Sequence, residues 1–172
     1  LRSLFGELLD AASFEAKVEH LTELVPVKLP ELVRRISSEF DVVAEQKGLR
    51  LSIHTNESVV MSEPGMLERI LRNLLSNAIR YTESGGVLVA IRRRPEAILL
   101  EVWDTGRGIP SNKLETIFHQ FSQVLEDDSK EGHGLGLSIV HRLSLALGHA
   151  IEVSSIEGKG TRFRLRIPDR IY

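Results

Sequence analysis

A two-layer α+β sandwich is the fold class that the sequence predicts, and three observations lead to it. Apolar residues recur at helical period over 31–47 and again over 64–81. Short β-type segments come as turn-linked pairs, at 87–103 and again at 151–167. The helices segregate from a sheet that is mixed and mostly antiparallel, with about three helices on it and a further helical segment at the N-terminal end.

In chain order, Leu1, Leu4, Phe5, Leu8, Leu9 and Ala12 fall at helical spacing, and Val18, Leu21 and Leu24 continue a weaker stripe as far as Val25 and Pro26. Such a stripe packs either on its own domain or on a partner helix, and the partner helix is the expectation here. Pro26 and Pro30 bracket an extended Val27-Lys28-Leu29, because proline removes a donor and turns its predecessor away from helix. This is a linker or an edge strand, and it divides the chain into 1–26 and 27–172. From Glu31 to Lys47 the residues Leu32, Val33, Ile36, Phe40, Val43 and Ala44 predict one helix, stopped by Gly48. Leu49 to His54 and Val59 to Met61 read as strands, and Ser62-Glu63-Pro64 starts a helix that runs to about Tyr81. Gly85-Gly86 then turns the chain into a hairpin, Val87 to Arg93 and Ile98 to Trp103, around Arg94-Pro95-Glu96. A polar stretch from Ser111 to Glu131 leads to a helix at Leu135 to Leu147, then to strands near Ile151 to Ser155 and Arg162 to Ile167 around Gly158-Lys159-Gly160.

Composition narrows the function classes. With 172 residues, 42% hydrophobic and 27% charged, the chain suits one well-buried domain with a modest appendage. A net charge of -2, from 22 basic and 24 acidic residues, gives no reason to expect nucleic acid. The absence of cysteine excludes disulfides, thiolate metal sites and cysteine nucleophiles, and fits a cytoplasmic location. No apolar run approaches the roughly 20 residues that span a bilayer, so the chain is expected to be soluble. It starts at Leu1 within an amphipathic pattern, which suggests a fragment; inner-membrane anchoring of its parent is left open.

Three segments carry chemistry. Asn73 and Asn77 are four apart, so their amides share one face of a helix whose buried side is Leu71, Leu74, Leu75 and Ala78. An amide oxygen is a hard neutral ligand suited to Mg²⁺, although paired asparagines alone also describe a solvated face. Asp104-Thr105-Gly106-Arg107-Gly108-Ile109 follows directly on a strand, with a carboxylate at its end and glycines where a backbone can approach a ligand. A carboxylate there accepts from an adenine amino group; in isolation the stretch also reads as an ordinary turn. Gly132-His133-Gly134-Leu135-Gly136-Leu137 opens a helix whose free amides and dipole favour phosphate. It is not a Walker loop, having no Gly-Lys-Ser/Thr, and it lacks the preceding apolar strand of a dinucleotide fold.

Taken in order, these segments resemble the N box, first glycine box, F box and second glycine box of the catalytic and ATP-binding domain of sensor histidine kinases. In this sequence they are Asn73 to Tyr81, Asp104 to Gly108, Phe118-His119-Gln120-Phe121 and Gly132 to Gly136, with Gly158-Lys159-Gly160-Thr161 similar to the last box. The resemblance covers about Val27 to Pro168 and implies the Bergerat ATP-binding fold of the GHKL superfamily, with ATP and Mg²⁺ as cofactors. It implies that Asn77 ligates Mg²⁺, that Asn73 supports the metal and phosphate site, that Arg80 meets a phosphate, and that Asn73 and Arg80 are the catalytic pair. Tyr81 then lines the base and ribose side, and Asp104 accepts from the adenine amino group. Gly106 and Gly108 let the backbone pass the base, with Ile109 beside them and Thr161 close by. Ser111 to Glu131 becomes a lid anchored by Phe118 and Phe121, with Lys130 offering charge to the phosphates. Gly132, His133, Gly134, Leu135, Gly136 and Leu137 form the phosphate loop, where His133 either donates to a phosphate or is an exposed loop residue. Gln120 stands where the family often has proline, and Glu131 where a further glycine is common.

The resemblance extends to residues 1–26, which look like the end of the family's dimerisation and phosphoacceptor helix. The wider superfamily, shared with gyrase, mismatch-repair and heat-shock chaperone proteins, uses a helical Glu to activate water; here that position is similar to Asn73, and an amide has no useful basicity near neutral pH. Phosphoryl transfer needs instead an external nucleophile in line with the γ-phosphate. None of His20, His54, His119, His133, His141 or His149 is followed by the acidic residue and proline of a phosphoacceptor box. The expectation is a kinase domain that donates the γ-phosphate to a histidine of an upstream domain, for relay to the Asp of a response regulator receiver domain, in a homodimeric parent. A chain of this extent alone is expected to lack autophosphorylation. A nucleotide-dependent interaction module, or pseudokinase, is the alternative.

Overall fold

The computed structural model describes residues 23–119 and 136–169. Strand β1 (Val25–Lys28) pairs antiparallel with β3 (Val59–Ser62) as a small separate sheet. The main sheet is five-stranded, in the order β2 (Arg50–His54), β4 (Gly86–Arg94), β5 (Ala97–Asp104), β7 (Gly160–Pro168), β6 (Ala150–Ile156). Only the β2–β4 pairing is parallel among these strands. Helices α1 (Leu29–Ser38), α2 (Asp41–Gln46), α3 (Pro64–Arg80) and α4 (Gly136–Leu147) complete the described fold, with a 3₁₀ turn at Ser111–Lys113. The predicted mixed, mostly antiparallel α+β sandwich is the observed architecture.

Strand alternation decides what faces what. On β4 and β5 the residues Val87, Val89, Ile91, Ile98, Leu100 and Val102 are buried, and they meet Leu67, Ile70, Leu71, Leu74 and Leu75 of α3 and Val140, Leu143 and Leu147 of α4 in one core. Helix α3 therefore lies between sheet and solvent with its Asn73–Asn77 stripe left at the surface of the core. Its start is set as the sequence predicts. Pro64 occupies the first turn, and the Glu63 carboxylate accepts from Gly65 N at 3.1 Å and Met66 N at 2.6 Å.

The opposite face of the sheet has no helix among the described residues. Glu101 is fully buried there, accepting from Trp103 Nε1 at 3.0 Å and Arg164 Nε at 2.8 Å, with Arg92 Nε 3.1 Å away. Burial, the largest single influence, pushes its carboxyl up; the hydrogen bonds from Arg164 and Trp103 and the charges of Arg164 and Arg92 together outweigh it and hold it below the ordinary range.

Two sequence expectations need correction. The single helix expected from Glu31 to Lys47 begins at Leu29 and breaks between Ser38 and Asp41. Glu39 N and Phe40 N bond the carbonyls of Ile36 and Ser37, tight i to i−3 contacts that end α1, and Phe40 packs on the core from the break. Beyond it the chain has turned enough that Val42 and Val43 are exposed and only Ala44 of α2 is buried, so an unbroken apolar period did not mean an unbroken helix. Leu29, expected to be extended, is the first residue of α1, while Val25 and Pro26 already pair with Ser62 and Met61.

Candidate functional site

The site forms where the ends of α3, β5 and β7 meet. β5 ends at Asp104, opposite Thr161 of β7 in register. The Asp104 Oδ1 accepts from Gly106 N at 2.8 Å and from Thr161 N at 3.2 Å, which fixes the carboxyl plane and leaves its second oxygen available to a ligand. Burial pushes this carboxyl up from the ordinary aspartate value, and the two amide bonds pull the other way without cancelling it.

Glycines are required around that carboxylate for stated contacts. A Cβ on Gly106 would lie 2.4 Å from the Tyr81 carbonyl oxygen, and one on Gly160 2.0 Å from the Asp104 carbonyl oxygen. Gly108, at φ +70°, would meet the Ile156 carbonyl at 2.2 Å. The loop is tied on both sides: Arg107 N donates to Tyr81 O, Gly158 N to Arg107 O, and Ile109 N to Ser155 Oγ at 2.8 Å. Tyr81, the cap residue of α3, is thus bonded directly to the loop that carries Gly106 and Gly108.

On α3 the Asn73 amide nitrogen donates to Arg69 O at 2.8 Å. This orients its oxygen toward the start of α4, where a Cβ on Gly136 would be 2.9 Å from it. Asn77, one turn on, is partly exposed and makes no side-chain hydrogen bond among the described residues. Arg80 is exposed, and the Tyr81 ring has two guanidinium groups near it, Arg107 Cζ at 4.4 Å and Arg80 Cζ at 5.9 Å from its centroid. A concavity of about 300 Å³ opens here, lined by Arg80, Tyr81, Glu83, Ser84, Thr105, Gly106 and Arg107. Leu137 packs against the core from the first turn of α4. No group of three or more His, Asp or Glu side chains that could hold a metal occurs among the described residues.

The profile of the "Histidine kinase-, DNA gyrase B-, and HSP90-like ATPase" family matches residues 62–171, from the last residue of β3 through the final strand. The chain belongs to this family. Within the histidine kinase-, DNA gyrase B- and HSP90-like ATPases it is a catalytic domain of the sensor histidine kinase kind, as its relatives make plain. It is 32% identical over 174 residues to the adaptive-response sensory kinase SasA of Crocosphaera subtropica, covering 98% of this chain and 45% of that protein. It is also 32% identical over 174 residues to the aerobic respiration control sensor protein ArcB of Escherichia coli, covering 97% of this chain and 22% of that one. The chain therefore spans less than half the length of these curated relatives. Full-length ShkA, solved in complex with AMPPNP, superposes with a TM-score of 0.83 at 32% identity, over 96% of this chain and 35% of that one. The catalytic domain of the histidine kinase ThkA, in a nucleotide-free form, gives 0.74 at 27% identity over 85% of this chain and 95% of its own.

Of the residues expected to form the ATPase-family site, Asn73, Asn77, Arg80, Tyr81, Asp104, Gly106, Gly108, Ile109, Gly136, Leu137 and Thr161 are described. Direct contacts join part of this set: Asp104 bonds Gly106 and Thr161, and Tyr81 bonds the glycine loop, while the Asn73 amide oxygen faces Gly136 at the start of α4. Phe121, Lys130, Gly132, His133, Gly134 and Leu135 lie outside the described residues, as does most of the expected lid. Sequence reasoning missed Ser155 and Thr82. The Ser155 hydroxyl accepts from Ile109 N and is 2.9 Å from both Gly160 O and Thr161 Oγ1, so it joins both loops. A signal existed: Ser155 continues the inward positions of Ile151 and Val153, where a polar side chain needs a partner. Thr82 is buried, bonds Ala78 O at 2.7 Å and packs under Gly106.

Proposed function

We propose that this domain binds ATP with Mg²⁺ and donates the γ-phosphate to a histidine on an upstream dimerisation domain of a homodimeric sensor kinase, for relay to a response regulator aspartate. The observation that carries the reading is Asp104, a carboxylate pinned through one oxygen by Gly106 N and Thr161 N and free to accept from an adenine amino group through the other. Guanine presents a carbonyl at that position, so the same carboxylate selects against it. The glycines let base and backbone approach, and Tyr81 with its nearby guanidinium groups forms the outer wall on the side of Arg80, where phosphate charge is met.

The donor set fits Mg²⁺ arriving with the nucleotide: Asn77 offers an uncommitted neutral oxygen, and no carboxylate cluster competes to hold a bare ion among the described residues. When bound, the ion offsets charge on the phosphate oxygens. Asn73 is committed to the helix by its Arg69 bond, and its amide cannot take a proton from water. The domain's own residues therefore hold and orient the nucleotide and leave the nucleophile to be supplied from outside.

Calorimetric titration of the chain with Mg²⁺-ATP and Mg²⁺-GTP tests the binding half. ATP is expected to bind and GTP to fail; equal binding refutes the role of Asp104. Addition of a dimerisation domain with an acceptor histidine, with radiolabelled γ-phosphate, tests transfer. Acid-labile, alkali-stable labelling supports kinase action, and binding without labelling makes the domain a nucleotide switch.

A further inference from the structure

Lys47 stands far in sequence from every residue of the site, yet its ammonium group donates to the carbonyls of Ile79 at 2.7 Å and Arg80 at 3.1 Å. These are last-turn carbonyls of α3, which have no amide partner within the helix, and they lie at the negative end of its dipole. Lys47 reaches them because α2 ends at Gln46 and Gly48 takes φ +68°, closing a turn in which Gly48 N bonds Glu45 O and Leu49 N bonds Ala44 O. That turn aims one long side chain back across 32 positions onto the end of the neighbouring helix.

The carbonyls that Lys47 holds are followed by that of Tyr81, which accepts Arg107 N and forms the floor against which Gly106 packs without a Cβ. The last turn of α3 thus does two things: it presents Arg80 and the Tyr81 ring, and it is the backstop of the Asp104–Gly108 loop. We propose that Lys47 is a positioning residue for the nucleotide site, clamping the end of α3 so that the Tyr81 carbonyl and the glycine loop keep their register before nucleotide arrives. It rests on the nucleotide reading given above and adds to it the residue that follows α2, outside the proposed ligand contacts. An ammonium group is well suited to this, since its three donors serve two carbonyls at once; Arg reaches as far and keeps charge and donors, whereas Met fills the same path with neither.

The test compares Lys47→Met and Lys47→Arg with the unaltered chain. Without nucleotide, amide hydrogen exchange is read at Tyr81 and Arg107, with Leu71 in the middle of α3 as reference; with nucleotide, the dissociation constant for Mg²⁺-AMPPNP is measured. Lys47→Met is expected to speed exchange at Arg107 at least fivefold relative to Leu71 and to weaken AMPPNP binding about three- to tenfold. Lys47→Arg is expected to restore most of both. Unchanged exchange at Arg107 overturns the proposal, as does weaker binding that tracks a uniform rise in exchange at all three amides, which is general destabilisation. Failure of the nucleotide reading has a separate mark: AMPPNP affinity unchanged by Asp104→Asn, whatever Lys47 does to exchange.

Discussion

Asp104 and Asn77 belong to two parts of the proposed nucleotide site, a loop wall and a helix wall, and are held in opposite ways. The Asp104 carboxyl is part-buried, fixed by amides from the loop after β5 and from the start of β7, and surrounded by glycines that leave no room for a Cβ. The Asn77 amide stands partly exposed on a regular helix and has no side-chain hydrogen bond among the described residues. One wall is a product of tertiary structure and breaks when the fold is disturbed. The other is a helix face, whose side chains can be exchanged without the fold noticing. The difference teaches which substitutions report on binding alone.

The largest effect is expected where the tertiary wall is attacked sterically. Gly160→Val places side-chain atoms against the Asp104 carbonyl at a backbone angle of φ +129°, and should cost about 2–4 kcal/mol in chemical denaturation and remove ATP binding with it. Asp104→Asn is the sharper probe of the same wall. The amide oxygen can still accept from Gly106 and Thr161 while an amino group replaces the oxygen offered to adenine, so ATP affinity should fall by about 1–3 kcal/mol by calorimetry with a much smaller change in stability.

Acidity separates the walls further. Burial raises the Asp104 carboxyl, so ATP binding should be lost on acidification at a higher pH than an exposed aspartate would dictate, readable as affinity against pH. For stability the sign runs the other way: a raised acid contributes most below its unfolded value, and that contribution fades as pH rises through the folded value. Glu101, held low by Arg164, Trp103 and Arg92, behaves oppositely; its contribution is present above the unfolded value and is lost as pH falls through the folded one. Denaturation of Asp104→Asn and Glu101→Gln across pH should therefore show difference curves of opposite slope. The smallest effect on the fold belongs to the helix wall: Asn77→Ala should leave stability within about 0.5 kcal/mol while abolishing the Mg²⁺ dependence of ATP binding.

Much of this was legible because it is local. Helix α3 is announced by its Leu67–Leu75 periodicity and its proline start, the hairpin by its alternation and turn, and the Asp104 loop by aspartate and glycine at a strand end. What stayed hidden depends on distant partners. The break at Glu39–Phe40 preserves the apolar period and is visible only in what Val42 and Val43 fail to touch. Lys47 reads as a surface charge until α3 is placed beside it, and Ser155 as a strand residue until Ile109 arrives. The pairing of β2 with β4 joins segments separated by β3 and α3, and no short window contains it.

The bond from Thr161 N to Asp104 spans 57 positions, and β7 lies between β5 and β6 in the sheet. A growing chain that has made α3, the hairpin and even α4 still lacks both the amide that holds Asp104 and the strand that covers the open edge of β5. If Asp104 recognises adenine as proposed, the nucleotide is no folding template during synthesis, because the bond from Thr161 N that fixes this carboxyl forms only after β7 has left the ribosome. Chains that stop before Gly160 should be insoluble with or without ATP, their central strand left as an unpaired apolar edge.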